Sequence, residues 1–132
     1  MTATSFRRIE RFLVRAAVYF AAAAALTVIC QFAEAHARPT REVPVAGATV
    51  TTSQKDVVID FDEGLEPAFS SVTVTDANGN AVTSGKTVVD PSNGKRMSVG
   101  LSPLSPGNYT VLWIAVAADG HRTQGRYTFS AK

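Results

Sequence analysis

Cysteine and histidine are scarce in this chain of 132 residues, which has one cysteine, Cys30, and two histidines, His36 and His121. Cys30 lies in an apolar N-terminal segment, so the remainder of the chain can form no disulfide and offers no thiolate to a metal ion. A cysteine nucleophile is excluded there, and no G-x-S-x-G sequence is present to indicate a serine hydrolase. A domain built from this remainder must depend on its hydrophobic core.

An excess of positive charge is also missing from most of the chain. The formal net charge is +2, but residues 1–35 contain four arginines and only two acidic residues, whereas residues 36–132 contain nine basic and nine acidic residues. A nucleic-acid-binding surface requires a basic patch or stripe. We therefore expect no nucleic-acid partner.

The first 35 residues have the composition of a secretory signal peptide. Four arginines are followed by the fifteen uncharged residues "AAVYFAAAAALTVIC" and then by Ala-Glu-Ala at 33–35, which resembles a cleavage site. The apolar run is shorter than the roughly 20 residues of a spanning helix. We predict a signal peptide at 1–35, cleavage after Ala35 and a single exported domain at 36–132. The alternative is an uncleaved N-terminal anchor.

Residues 36–132 show the alternation of apolar and polar residues that is typical of β-strands, and no sustained helical period. Asn78-Gly79 is a strong turn signal, and Tyr109 follows "LSPG" in a position that resembles the tyrosine corner of Ig-like folds. We predict an all-β, Ig-like Greek-key barrel or sandwich of about seven strands. The predicted strands lie near 47–53, 56–62, 70–76, 85–90, 96–101, 109–117 and 125–131.

Four acidic residues, Asp60, Asp62, Glu63 and Glu66, lie close together in the sequence and could supply a pair of catalytic carboxylates. Asp60 and Asp62 fall on the same face of a predicted strand. We interpret them as solvated residues at a strand edge, because charged side chains are common there.

The two histidines suggest a metal site. After cleavage at Ala35, His36 offers both an α-amine, with a pKa of about 7.7–8.0, and an imidazole nitrogen, which can chelate one ion. Asp119-Gly120-His121 adds a carboxylate oxygen and a third nitrogen. Cu(II) prefers tetragonal nitrogen and oxygen ligands. The residues therefore indicate a Cu(II) site formed by His36, Asp119 and His121.

Two plainer explanations compete with this interpretation. An Asp-Gly-His sequence between two strands is typical of a hairpin turn, and a histidine behind a cleavage site is typical of a frayed terminus. Sequence spacing by itself does not choose between these explanations and a metal site.

The chain resembles the CopC family of periplasmic copper-binding proteins over nearly all of residues 36–132. The resemblance rests on "PVAGATV" (44–50), "VVIDFDEGLEPAFSSVTVTDANGNAV" (57–82) and "LSPLSPGNYTVLWIAVAADGHRTQGRYTF" (101–129). It implies a small Greek-key β-barrel with Cu(II) bound by the N-terminal histidine and by an Asp-x-His segment. By this match the ligands are His36, Asp119 and His121, and Glu63 in "FDE" lies beside the site.

The resemblance also implies a function: a non-enzymatic, periplasmic protein that carries or buffers Cu(II) in copper homeostasis and resistance. It implies a multi-span inner-membrane partner of the CopD kind, and we expect the carrier to be a monomer. Some family members have a methionine-rich loop for Cu(I). Residues 36–132 contain only Met97, in a strand pattern typical of a core residue, so we predict no Cu(I) thioether site.

Two other functions remain open from the sequence. A terminal histidine together with a second histidine also forms the "histidine brace" of copper-dependent polysaccharide monooxygenases, which need an open copper position and an aromatic surface for the substrate. Residues 36–132 contain six aromatic residues, most of them in strand register. The third function is that of an Ig-like interaction module without a metal.

Overall fold

The computed structural model describes residues 9–21 and 36–132. Residues 9–21 form an exposed α-helix, and the chain from residue 36 onward belongs to a separate compact unit. The predicted cleavage site at Ala33-Glu34-Ala35 lies outside the described residues. Within the described residues, no helix is long and apolar enough to cross a membrane.

The domain consists of two four-stranded β-sheets, with strand orders β1-β3-β6-β5 and β2-β8-β7-β4. All pairs within the sheets are antiparallel except β2 with β8, which is parallel. This arrangement confirms the predicted all-β class with two packed sheets. The strands are β1 (Pro39–Val43), β2 (Thr49–Val50), β3 (Asp56–Phe61), β4 (Ser71–Thr75), β5 (Thr83–Val89), β6 (Arg96–Leu101), β7 (Gly107–Val116) and β8 (Arg122–Ala131).

The described residues contain eight strands rather than about seven, because β1 has no counterpart in the sequence prediction. Its sequence, PTREV, has three polar or charged residues in a row and no fully buried residue, so it shows no apolar alternation. β1 instead pairs with β3 through its backbone, with Arg41 opposite Asp60 and Val43 opposite Val58. The hydrogen bonds of a neighbouring strand thus stabilise a segment whose side chains give little sign of a strand.

The hydrophobic core lies between the sheets, and the predicted alternation identifies most of it. Met97 has no exposed surface, which confirms that it is a core residue. Burial of such side chains supplies most of the favourable free energy of folding, at about 25 cal/mol per Å² of apolar surface. The predicted inward-facing residues that are buried are Val57, Ile59, Phe61, Val72, Val74, Met97, Val99, Leu101, Tyr109, Val111, Trp113, Ala115, Tyr127 and Phe129.

Two predicted local features are present at the end of the domain where β7 begins. Gly79 has a φ of +84°, and its N–H donates to the carbonyl of Asp76 at 3.0 Å, so this glycine occupies a tight turn. The Tyr109 hydroxyl donates to the Ser105 carbonyl at 2.6 Å and accepts from the Ser105 N–H at 3.0 Å. Tyr109 therefore forms the tyrosine corner, which attaches the loop before β7 to the start of that strand.

The single tryptophan needs a glycine on the neighbouring strand. Trp113 packs edge-to-face against Phe61 with ring centroids 5.3 Å apart, and it lies directly opposite Gly125 in the β7–β8 pair. A Cβ atom at Gly125 would come within 2.7 Å of the Trp113 Cε2 atom. Any side chain there would push the indole ring out of its place in the core.

We expect Gly125→Ala to lower the free energy of unfolding by about 1–3 kcal/mol, since overpacking a filled core forces neighbouring groups to move. Gly94→Ala is the matched control, because a Cβ there meets nothing within 4 Å. Urea unfolding followed by Trp113 fluorescence measures both variants. Equal stability of Gly125→Ala and the wild type would show that the indole ring has room to move.

Candidate metal site

Asp119 and His121 lie in the hairpin that joins β7 to β8. The Ala117 N–H donates to the His121 carbonyl at 2.9 Å, and the Gly120 N–H donates to the Ala117 carbonyl at 2.8 Å. Gly120 has a φ of +87°, a conformation that favours glycine. The Asp-Gly-His sequence therefore does form a hairpin turn, and this turn brings the side chains of the two predicted ligands together.

The side chains of Asp119 and His121 contact each other directly. Asp119 Oδ2 lies 2.9 Å from His121 Nδ1, and Asp119 Oδ1 accepts a hydrogen bond from the His121 backbone N–H at 3.0 Å. That backbone hydrogen bond is the main reason why the pKa of Asp119 is lowered, so Asp119 remains a carboxylate near neutral pH. With Nδ1 directed at Asp119, Nε2 is the histidine nitrogen that points away from the carboxylate.

His36 lies beside this pair although it is more than eighty positions away in the sequence. Its imidazole ring is exposed, and its centroid is 5.4 Å from that of His121 at an interplanar angle of 86°. Two imidazole rings and one carboxylate thus occupy one end of the domain.

The residues after His36 are held in place by hydrogen bonds. Ala37 is fully buried, and its carbonyl accepts a hydrogen bond from the Thr123 hydroxyl at 2.7 Å. The Arg38 N–H donates to Asp62 Oδ1 at 2.7 Å, and the Asp62 N–H donates to the Arg38 carbonyl at 3.0 Å. His36 therefore directly precedes a segment, Ala37 and Arg38, whose backbone is held by hydrogen bonds.

Glu63 belongs to a segment that runs alongside the hairpin. The neighbouring Gly64 carbonyl accepts a hydrogen bond from the Ala118 N–H at 3.2 Å, and Leu65 forms a β-bridge with Ala117. The Glu63 side chain is exposed. Its segment is thus next to the hairpin, and a role for the carboxylate near the site stays a prediction.

Asp119 contacts His121, and His121 lies beside His36, but the three side chains do not yet surround a common point within the described residues. Within residues 9–21 and 36–132, no three His, Cys, Asp or Glu side chains are already close enough together to hold a metal ion. The fourth expected donor, the α-amine of His36, is an amide nitrogen for as long as Ala35 precedes it. This donor set fits Cu(II), but binding would require cleavage before His36 and movement of the side chains toward one another.

Two acidic residues, Asp60 in β3 and Asp62 just after it, have structural roles. Asp60 makes two hydrogen bonds with Arg96, at 2.6 and 2.9 Å, and lies 3.7 Å from Arg41. β3 lies between β1 and β6, so the interpretation of Asp60 as a strand-edge residue is wrong. Asp62, just beyond β3, contacts the N-terminal segment instead of solvent alone. Neither partner can be identified from the sequence, because the register of β1 and β6 against β3 is not encoded locally.

Comparison with known proteins identifies the family of the chain. The CopC domain matches residues 40–132, which include Asp119 and His121 but not His36. The chain belongs to the CopC family. Protein YobA of Escherichia coli (strain K12) is 37% identical over 99 residues, which cover 74% of this chain and 80% of YobA. Copper resistance protein C of Escherichia coli is 34% identical over 109 residues, covering 76% of this chain and 84% of that protein.

Solved structures of this CopC family agree with the fold. CopC from Methylosinus trichosporium OB3b has a TM-score of 0.69 and 28% identity, and the match covers 74% of this chain and 94% of that one. PcoC, described as a methionine-rich copper resistance protein from Escherichia coli, has a TM-score of 0.65 and 29% identity, covering 74% of this chain and all of PcoC. The similarity confirms the two-sheet Greek-key architecture.

We expect the Asp60–Arg96 pair to stabilise this CopC domain only above acidic pH. The hydrogen bond from Arg96 holds the pKa of Asp60 below its ordinary value, so its contribution is present above about pH 4 and is lost as the pH falls through the lowered pKa. Asp60→Asn should cost about 1 kcal/mol at pH 7 and less at pH 2. Urea unfolding of both proteins at the two pH values measures this, and an equal cost at both values would contradict it.

Proposed function

We propose that the chain, cleaved after Ala35, is a periplasmic protein that binds one Cu(II) ion and carries or buffers it without an enzymatic reaction. The ligands are the amine and imidazole of His36 together with Asp119 and His121. The observation that carries this proposal is the convergence of both histidines: their rings lie 5.4 Å apart, and Asp119 contacts His121.

The chemistry of these donors suits Cu(II). An α-amine with a pKa of about 7.7–8.0 loses its proton readily to a metal near neutral pH. Three nitrogens and one carboxylate oxygen match the tetragonal preference of Cu(II), and the charge of Asp119 offsets part of the charge of the ion. Each carboxylate oxygen has two lone pairs, so Asp119 can bind copper while Oδ1 keeps its hydrogen bond from the His121 N–H.

The names of the relatives support copper as the cargo. Copper resistance protein C and PcoC are named for copper resistance, and a further relative is the copper transport protein CutJ of Bacillus subtilis. CutJ is 33% identical over 97 residues, but these cover only 18% of it. A domain similar to this chain is thus part of a much longer copper transport protein. This supports our further proposal that the chain, as a monomer, passes copper to a CopD-like membrane protein.

The aromatic residues favour a carrier over a polysaccharide oxidase. Among residues 36–132, five of the six aromatic side chains are buried in the core, and only Phe69 is largely exposed, at 69%. A flat polysaccharide surface needs several exposed rings to stack on sugars. Direct coordination by Asp119 would also occupy a position that oxygen chemistry has to keep open.

We expect the protein exported with its own leader to begin at His36 and to give a one-to-one tetragonal Cu(II) signal. Asp119→Ala and His121→Ala should each weaken binding at least about tenfold, since even residues that only orient metal ligands contribute this much. Asp56→Ala is the matched control, because it removes an exposed carboxylate at the start of β3, the end of that strand away from Phe61 and the site. Intact mass, copper titration and EPR spectroscopy provide the measurements.

Four results would contradict the proposal. An intact mass that corresponds to a different first residue would show that His36 has no free α-amine. Unchanged copper binding by His121→Ala would show that His121 is not a ligand. Equal weakening by Asp56→Ala would show that loss of any carboxylate suffices. Copper-dependent peroxide formation or polysaccharide cleavage by the wild type would favour the oxidase.

A further inference from the structure

Two side chains outside the ligand set join the N-terminal segment to the body of the domain beside the hairpin. Thr123 lies on β8 two residues after His121, and Asp62 lies just after β3. We propose that Thr123 and Asp62 are positioning residues that hold His36 where its donors can meet Asp119 and His121. This inference rests on the proposed function, because it assigns these residues a role in the same copper site.

The Thr123 hydroxyl makes the more direct connection. Its oxygen is 2.7 Å from the Ala37 carbonyl and 3.4 Å from the Ala115 carbonyl. A hydroxyl has one proton to donate, so the shorter contact with Ala37 is the hydrogen bond. The strand that begins just after His121 therefore also holds the residue that follows His36. One rigid element fixes both halves of the site relative to each other.

Asp62 holds the next residue from the other side. Its Oδ1 accepts from the Arg38 N–H at 2.7 Å, while its own N–H donates to the Arg38 carbonyl at 3.0 Å. The Lys95 ammonium donates to the Asp62 carbonyl at 2.8 Å, which fixes the backbone of Asp62 in turn. The side-chain contact requires an acceptor oxygen at Asp62 but not a negative charge.

The consequence is that, after cleavage at Ala35, only His36 would extend beyond the anchored segment formed by Ala37 and Arg38. Ala37 has no exposed surface, and Arg38 is bonded at both its N–H and its carbonyl. Without these contacts the terminal residues would sample many conformations, and copper binding would have to order them. Restricting the terminus in advance reduces this entropic cost, and so it raises the affinity for copper without any added ligand.

The principal test is Thr123→Val in the exported protein, because valine keeps the size and strand preference of threonine but cannot donate. Loss of one hydrogen bond predicts Cu(II) binding weakened about five- to tenfold. The EPR spectrum should also show a second population with fewer nitrogen ligands. Thr123→Ser keeps the donor and should restore the wild-type spectrum.

Asp62 separates hydrogen bonding from charge. Asp62→Asn keeps an acceptor oxygen for the Arg38 N–H, so it should bind copper close to the wild-type affinity. Asp62→Ala removes the acceptor and should weaken binding to a similar extent as Thr123→Val. Equal weakening by both Asp62 variants would show that Asp62 acts through its charge, and this would overturn its positioning role.

Tyr109→Phe is the control for a general loss of stability. It removes the tyrosine-corner hydrogen bonds with Ser105 at the start of β7, the end of that strand away from the hairpin. It should lower the unfolding midpoint and leave copper affinity and the EPR spectrum unchanged. If Tyr109→Phe weakened copper binding as much as Thr123→Val does, the effect of Thr123→Val would be explained by a general loss of stability. That result would overturn the inference.

The two levels of proposal fail in different ways. A wild-type protein that starts at His36 but binds no copper overturns the proposed function and this inference together. A wild-type protein that binds copper normally, combined with unchanged affinity and spectrum in Thr123→Val, overturns only the positioning role. Faster hydrogen exchange of the Arg38 amide in Thr123→Val than in the wild type, measured without copper, supports the anchoring contact independently.

Discussion

The hydrogen bond from Thr123 to the Ala37 carbonyl is the contact on which the proposed copper site depends. It joins positions 86 residues apart, and it acts between the first residues of the domain and the strand that leaves the hairpin. Without this contact, the N-terminal segment would keep only the hydrogen bonds of Arg38 with Asp62, and the position of His36 would be less well defined. If it is present, His36 lies beside His121, and the proposed maturation step gives a chelating amine at a fixed position.

The rest of the fold makes that contact possible. The core between the sheets fixes β8, while β3 supplies the backbone partners of β1 and, through Asp62, the acceptor for Arg38. The β7–β8 pair is ten residues long on each strand, so the hairpin at its end has a rigid base. Gly120 then allows the tight turn in which Asp119 meets His121. Local turn chemistry and long-range packing therefore both contribute to the site.

The sequence predicts those parts of the structure in which the side chains themselves carry the signal. Alternating apolar residues reveal the buried face of β3, β4, β6, β7 and β8, and Tyr109 reveals its corner. β1 could not be predicted in this way, since its hydrogen bonds come from a neighbouring backbone. The partners of Asp60 and Asp62 depend on strand register, and that of Thr123 on a residue at the other end of the domain. The coordination chemistry of His36, Asp119 and His121 suggested in advance that they lie together, as the structure shows, and their role as ligands stays a prediction.

The central claim is that cleavage before His36 creates a copper ligand, and selective isotope labelling tests it most directly. Cells that export the protein are fed histidine with ¹⁵N at the α-nitrogen only, and the copper-loaded protein is examined by electron–nuclear double resonance. The His121 α-nitrogen is an amide that donates to Asp119, so His36 is the one histidine whose α-nitrogen can become an amine ligand. We expect one strongly coupled ¹⁵N nucleus. Bound copper without such a coupling would contradict it.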